Sequence, residues 1–322
     1  MGSHHSRVKL LLAFGAIYFI WGSTFLAIRF AVQTLPPLLT MGTRHLAAGT
    51  LLFAWLGLRG KLVRPEPRLW LPALFTGACC FLGCHGLLAW AEIRIDSGLA
   101  ALLSSTLPIW MVLLAALSGQ ESELNARVLS GIALGFAGVA VLIPTNFTGP
   151  HAEGLRAVGI LAAEILWAAG AIYARGVKSR GPSSTFAAMQ MVCGGALLWV
   201  VGLLLGEGRR VHAADFTAQS VLSLAFLIVF GSLVAYSAYM WLLQVSSPAI
   251  VSTHSYVNPL VAVLLGWALA HESVTWRTAL GTAVILASVA LVSVRRGRRA
   301  DSKSGSTTRR EMPPRRELPK PG

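Results

Sequence analysis

The sequence predicts an all-α integral membrane protein, with ten transmembrane helices arranged as two inverted five-helix repeats. Three observations predict it. Of the 322 residues, 55% are hydrophobic and only 12% charged, whereas a soluble domain carries roughly 25% charged residues to cover itself with polar surface. The apolar residues also fall into runs of about 18–25, the length that crosses a hydrocarbon core of about 30 Å. Finally, the chain matches itself. Residues 18–60 align with 164–206 without gaps, placing Trp21 on Trp167, Arg29 on Arg175, Pro36 on Pro182, Gly49 on Gly195 and Gly60 on Gly206.

In chain order the apolar runs are 10–32, 37–58, 70–91, 98–118 and 128–144 in the first half, then 157–174, 184–205, 219–243, 249–270 and 277–294. The first contains Tyr18 and Trp21, three apart and so on one helical face; the sixth contains Glu164 and Trp167 at the same spacing. The second run carries Arg44 about seven residues inside, where its length would let it snorkel to the interface. The third holds three of the four cysteines, then His85 and Glu92 on one face, with Glu92 near enough to the helix end to reach water. The fourth and ninth share their punctuation: Pro108 and Glu121-Ser122 fall on Pro259 and Glu272-Ser273. After a one-residue slip, GIALGFAGVAVL (131–142) matches GTAVILASVALV (281–292) in the fifth and tenth. The eighth run offers Tyr236 and Tyr239, and the ninth His254 and Asn258.

Five spans per half is an odd number, so the second half must enter the membrane from the opposite side. The resulting pseudo-two-fold axis lies in the membrane plane, an arrangement suited to alternating access with a substrate site near mid-membrane. Pro108 and Pro259 each remove an amide donor and mark helix interruptions there. The expected units are an N-terminal arm (1–9), a first repeat (10–145), a second repeat (156–294) and a basic tail (295–322).

The net charge of +14 does not indicate nucleic acid, because ten of the 27 basic residues lie in that tail. Rich in proline and poor in apolar residues, the tail is expected to be disordered and to touch anionic lipid. With both termini on the cytoplasmic side, 20 Lys and Arg fall inside and five outside, as the positive-inside rule favours. The loops alone contribute little of this difference, so the arms decide the orientation. Cys79, Cys80, Cys84 and Cys193 all lie inside spans, and their spacing, with His85, matches no ordinary zinc pattern. No metal and no cofactor is expected.

YFIWGSTFLAIRF near the start, an arginine before Leu-Ala-Ala-Gly in the second run, and SPAIVSTHSYVNPLVAVLLGWALAHES resemble the drug/metabolite transporter superfamily, EamA-type. The resemblance covers about residues 10–294. It implies ten transmembrane helices, an inner-membrane location, and proton-coupled or facilitated movement of small metabolites, amino-acid-like compounds or drugs, often outward. It further implies a central cavity lined mainly by helices 1, 3, 4, 6, 8 and 9. His254 and Glu164 depart from the family's pattern and bear on the substrate.

Polar groups inside a membrane are costly and mark site candidates by default. Glu164 is expected to carry a coupling proton or to pair with a cationic substrate. Trp167, Tyr18, Trp21, His85, Tyr236, Tyr239, His254 and Asn258 are the other candidate substrate-binding or coupling residues. Ser104, Ser105 and Thr106 are expected to bond back to their own helix, and Glu121 and Glu272 to cap or pair. The sequence has no His-Glu-x-x-His, no G-x-S-x-G and no phosphate-binding loop, which argues against an enzyme or an ATP-driven pump. The rival reading is a non-transporting receptor or scaffold. The expected partners are a small-molecule substrate and the lipid bilayer; Gly131, Gly135 and Gly138 suit close helix contact, either within the chain or with a second copy in a homodimer.

Overall fold

A computed structural model describes residues 7–118, 126–144, 152–177, 183–246, 251 and 254–293. All regular structure among them is helical. In chain order the helical runs are α1 (Arg7–Val32), α2 (Pro37–Leu58), α3 (Pro67–Glu92), α4 (Ser97–Leu117), α5 (Ala126–Leu142), α6 (Glu153–Gly176), α7 (Ser183–Leu204), α8 (218–245), α9 (His254–Ala270) and α10 (Trp276–Ser293). Among the described residues, six stretches are long and apolar enough to cross a membrane: α1, α3, α4, α6, most of α7, and Ala218–Tyr239 of α8. Helix α5 and the apolar parts of α9 and α10 are shorter, while α2 has the length but carries Arg44 and His45 within it.

Much of the apolar surface points outward. Leu12, Phe19, Leu71, Leu204, Leu222, Leu264 and Trp267 are all exposed, as expected of a surface that meets lipid tails rather than water. Backbone polar groups have no water to bond in that setting, so they must be satisfied within each helix.

Among the described residues three helices widen into π turns, two of which border the cavity. Wide π turns occupy Ala16–Ile20 in α1, Ala78–His85 in α3 and Leu227–Val234 in α8; such insertions free carbonyls and re-aim side chains, and they concentrate at functional sites. Helix α4 breaks at Ser105-Thr106, between Ser97–Ser104 and Leu107–Leu117, with Pro108 in the first turn of the second segment, where a missing amide costs no bond. The Ser105 and Thr106 hydroxyls donate back to Leu102 O (2.6 Å) and Leu103 O (2.7 Å), whereas the Ser104 hydroxyl does not bond back to its helix and faces Glu164 instead. Pro259 behaves differently: it lies inside α9 and the helix continues across it. Glu121-Ser122, the partner of Glu272-Ser273 in the repeat, lies outside the described residues.

Close helix pairs are made where side chains are smallest. Helices α2 and α7 run antiparallel in contact: a Cβ added to Gly49 would meet Val192 at 2.8 Å, and one added to Gly195 would meet Leu46 at 2.9 Å. Helices α5 and α10 do the same, with Gly138 against Ile285 (2.7 Å) and Gly135 against Ser288 (2.6 Å). Ser288 Oγ also donates to Gly131 O at 2.6 Å. The three glycines of α5 thus serve a contact within the chain.

Candidate functional site

A cavity of about 210 Å³ opens between the helices, walled by residues from α1, α2, α3, α4, α6, α7, α8 and α9. That volume lies below the roughly 300–1,000 Å³ of drug-sized pockets. Two aromatic clusters face it. In one, Trp21 lies 5.1 Å from Tyr239 and 5.1 Å edge-on from His254, and its indole Nε1 donates to Gly231 O at 3.1 Å; Tyr236 follows at 6.3 Å from Tyr239. In the other, Trp167 packs 5.4 Å from His85, which stacks on His45 at 4.8 Å. Trp21 and Trp167 occupy matching positions in the repeat, and each anchors one cluster. Offset and edge-on pairs of this kind hold rings rigidly.

His45 and His85 also share a hydrogen bond, Nε2 to Nδ1, at 2.7 Å, so one nitrogen must donate and the other accept. His45 Nδ1 is buried without a partner. Glu164, 5% exposed, lines the cavity and faces Ser104 at the break in α4. Arg44 is 4% exposed and lines it too. It does not snorkel to the interface, because its face of α2 packs on α8, where Nε donates to Ser232 Oγ at 3.0 Å.

Of the residues singled out in the sequence, Glu164, Trp167, Trp21, His85, Tyr236, Tyr239, His254, Asn258 and Pro259 all line the cavity. Tyr18 stands outside its wall, 5.8 Å from Phe14 in an apolar cluster with Ile17 and Leu242. Asn258 acts as a tie as well as a wall. With its amide nitrogen turned toward the carbonyls it faces, it donates to His254 O (3.1 Å), Tyr18 O (3.1 Å) and Ile17 O (3.2 Å). The last two belong to the π turn of α1, where Tyr18 O also accepts from the Trp21 backbone amide.

Beyond the cavity, one end of the bundle is closed by charge. Arg29 at the end of α1 pairs with Asp96 (2.8 Å) and Glu272 (3.3 Å) and donates to Ile95 O at 2.5 Å. The Glu272 carboxylate also accepts from Ser97 N (2.8 Å), Ser97 Oγ (2.8 Å) and Gly98 N (3.0 Å), capping α4 where its dipole favours negative charge. Asp96 lies in the connection between α3 and α4, where partial burial, working against the pull of Arg29, raises its carboxyl above the usual range. Glu92 does not reach water; it is fully buried, and neither carboxyl oxygen has a hydrogen-bond partner.

Two features escaped the sequence reading. His45 was hidden beside Arg44, and only its pairing across to α3 gives it meaning. Glu207 accepts from Leu38 N (3.3 Å) and Leu39 N (2.9 Å) at the start of α2, a long-range cap that no local pattern announces.

A scan against protein families matches the EamA-like transporter family over residues 8–143 and again over 155–294. The chain belongs to the EamA-like transporter family. It is 36% identical over 291 residues to the inner membrane transporter YedA of Escherichia coli (strain K12), covering 89% of this chain and 92% of that one. It is 27% identical over 290 residues to the transporter YvbV of Bacillus subtilis (strain 168), covering 90% and 92%. Among solved structures, a crystal structure at 19% identity superposes with a TM-score of 0.62, over 90% of this chain and 99% of that one, a likeness of fold. The EamA-like chain is therefore a membrane transporter, and its cavity is the place to look for the solute.

Proposed function

We propose that the protein is a secondary transporter that moves a small metabolite across the bacterial inner membrane by alternating access, as an exporter, with proton-coupled or facilitative energetics. In this reading ten transmembrane helices form two inverted repeats, and both termini are cytoplasmic. The observation that carries it is the symmetry of the contacts between matching helices of the two halves. Shifting by 146 residues turns the Gly49–Val192 contact into Gly195–Leu46, and shifting by 150 turns Gly138–Ile285 into Ser288–Gly135. Repeat mates α2 and α7 touch along antiparallel axes, as do α5 and α10. Nearly equivalent halves of this kind can exchange conformations, so that the cavity faces each side in turn.

The charged closure at Arg29, Asp96 and Glu272 then lies at the outer end, because α1, α3 and α9 finish there and α4 begins there. Breaking it would open the cavity outward. Glu164 is the coupling candidate, a carboxyl in the cavity wall from the second half, where the first half has Tyr18.

The reading is tested in proteoliposomes. A metabolite comparison between cells lacking and overproducing the protein supplies the solute, and its flux is followed under an imposed pH step. A coupled carrier responds to the step in wild type, and Glu164→Gln removes the response while leaving downhill exchange. Binding without flux would instead favour a receptor or scaffold. An unaltered pH response in Glu164→Gln would remove the coupling role from this residue.

A further inference from the structure

A guanidinium held out of water needs a counter-charge, and among the described residues no carboxylate lies within salt-bridge distance of Arg44; Glu92 reaches it only through its field. Nε is used by Ser232, Nη1 meets only the Met41 sulfur at 3.9 Å, and Nη2 has no hydrogen-bond acceptor among the described residues. No carboxylate among them pairs with it. Cys84 is in electrostatic reach of both Arg44 and Glu164, and Glu92, in electrostatic reach of Arg44, has neither oxygen engaged in a hydrogen bond. Leaving such a charge buried and unpaired is strongly destabilising, so the position is explained best by a ligand that completes it.

The space for that ligand is already shaped. Gly231 stands beside Nη2, and a Cβ there would lie 3.3 Å from Arg44 Nη2 and 3.0 Å from Thr24 Cγ2. The same glycine's carbonyl accepts from Trp21, so the guanidinium, with no side chain from Gly231 crowding it, adjoins an aromatic wall. We infer that Arg44 receives a carboxylate of the transported solute over Gly231, and that the solute is a small organic anion whose planar apolar body lies against Trp21 and Tyr239. One cation matches one carboxylate; a doubly charged phosphate would leave excess charge unpaired beside Arg44. The inference rests on reading this cavity as the solute's site, but it concerns binding and can be measured without flux.

The full chain in lipid nanodiscs, with Trp21 and Trp167 as fluorescent reporters in the cavity wall, can be titrated with three probes of equal size: phenylpropionate, phenylpropionamide and phenylpropylamine. A charge-assisted bond to Arg44 should make the carboxylate bind at least about tenfold more tightly than the amide or the amine. Arg44→Gln should lose that preference while keeping affinity for the amide, which also reports that the variant is folded. Arg44→Lys should keep part of it. Gly231→Ala, which retains the charge but sets a methyl group beside it, should weaken the carboxylate more than the amide and decides the matter if Arg44→Gln does not fold. A wild-type protein that prefers the amine or the amide, or binds none of the three, overturns the inference, as does a carboxylate preference that survives Arg44→Gln. Selective binding without flux would leave the anion site standing and sink the carrier reading instead.

Discussion

At the scale of single residues, the site was legible wherever a polar or aromatic side chain interrupted an apolar run. Glu164, His85, His254 and the two tryptophans stood out because hydrocarbon gives them no reason to be there, and all five line the cavity. Arg44 was misplaced for an equally physical reason: a long side chain near a helix end can reach either the interface or the interior, and only the neighbouring helix decides. Asn258 shows what a side chain can do for the backbone. Its amide satisfies three carbonyls, two of them in the π turn of α1. Asn258→Ala should therefore lower stability by about 1 kcal/mol, the usual net worth of a lost hydrogen bond. Thermal unfolding in detergent checks this; an unchanged midpoint would mean that the π turn finds other partners.

At the scale of elements, the helices followed from composition, while their irregularities did not. A proline announces a break, and α4 breaks beside Pro108, yet α9 runs through Pro259. The π turns of α1, α3 and α8 have no residue signature, since they depend on what packs against them. Helix contact is more predictable: glycine permits it, and here glycine is used. Gly195→Val should cost about 1–3 kcal/mol through overpacking against Leu46 and the Gly42 carbonyl, whereas Gly176→Ala, with open space around it, should be near neutral. Melting curves of the two variants make the comparison. The closed end yields a prediction about pH. Because the Asp96 carboxyl is raised above its ordinary value, it takes up a proton at higher pH than a free aspartate would. The Arg29–Asp96 pair is present above that range and is lost as the pH falls through it. Labelling of a cysteine placed at Ser97 should rise on mild acidification, and Asp96→Asn should label readily at all pH values. A pH-independent rate in wild type would show that Glu272 alone holds the end shut.

At the scale of the whole molecule, the two halves share a frame but divide the chemistry. Trp21 and Trp167 hold equivalent places, whereas Arg44 is matched by Gln190, which leaves the cavity and donates to Thr76 Oγ1 at 2.9 Å. Glu164 is matched by Tyr18, which stands outside the wall. One half thus brings the cation to the cavity wall and the other a carboxyl, so that in the proposed carrier a solute bound between them would touch both halves and bias how they rock. That consequence depends on the halves facing opposite ways. The loops carry too small a difference in basic residues to decide orientation, and the arms carry the rest. The connection after α2 and the one after α7 follow matching helices, and inversion puts them on opposite faces of the membrane. In a background freed of the four native cysteines, Arg64→Cys should react with an impermeant thiol reagent only from the cytoplasmic side. His212→Cys, exposed in the later connection, should react only from outside. Reaction of both from one face would make the repeats parallel, and equivalent halves could then no longer present the cavity to the two sides in turn.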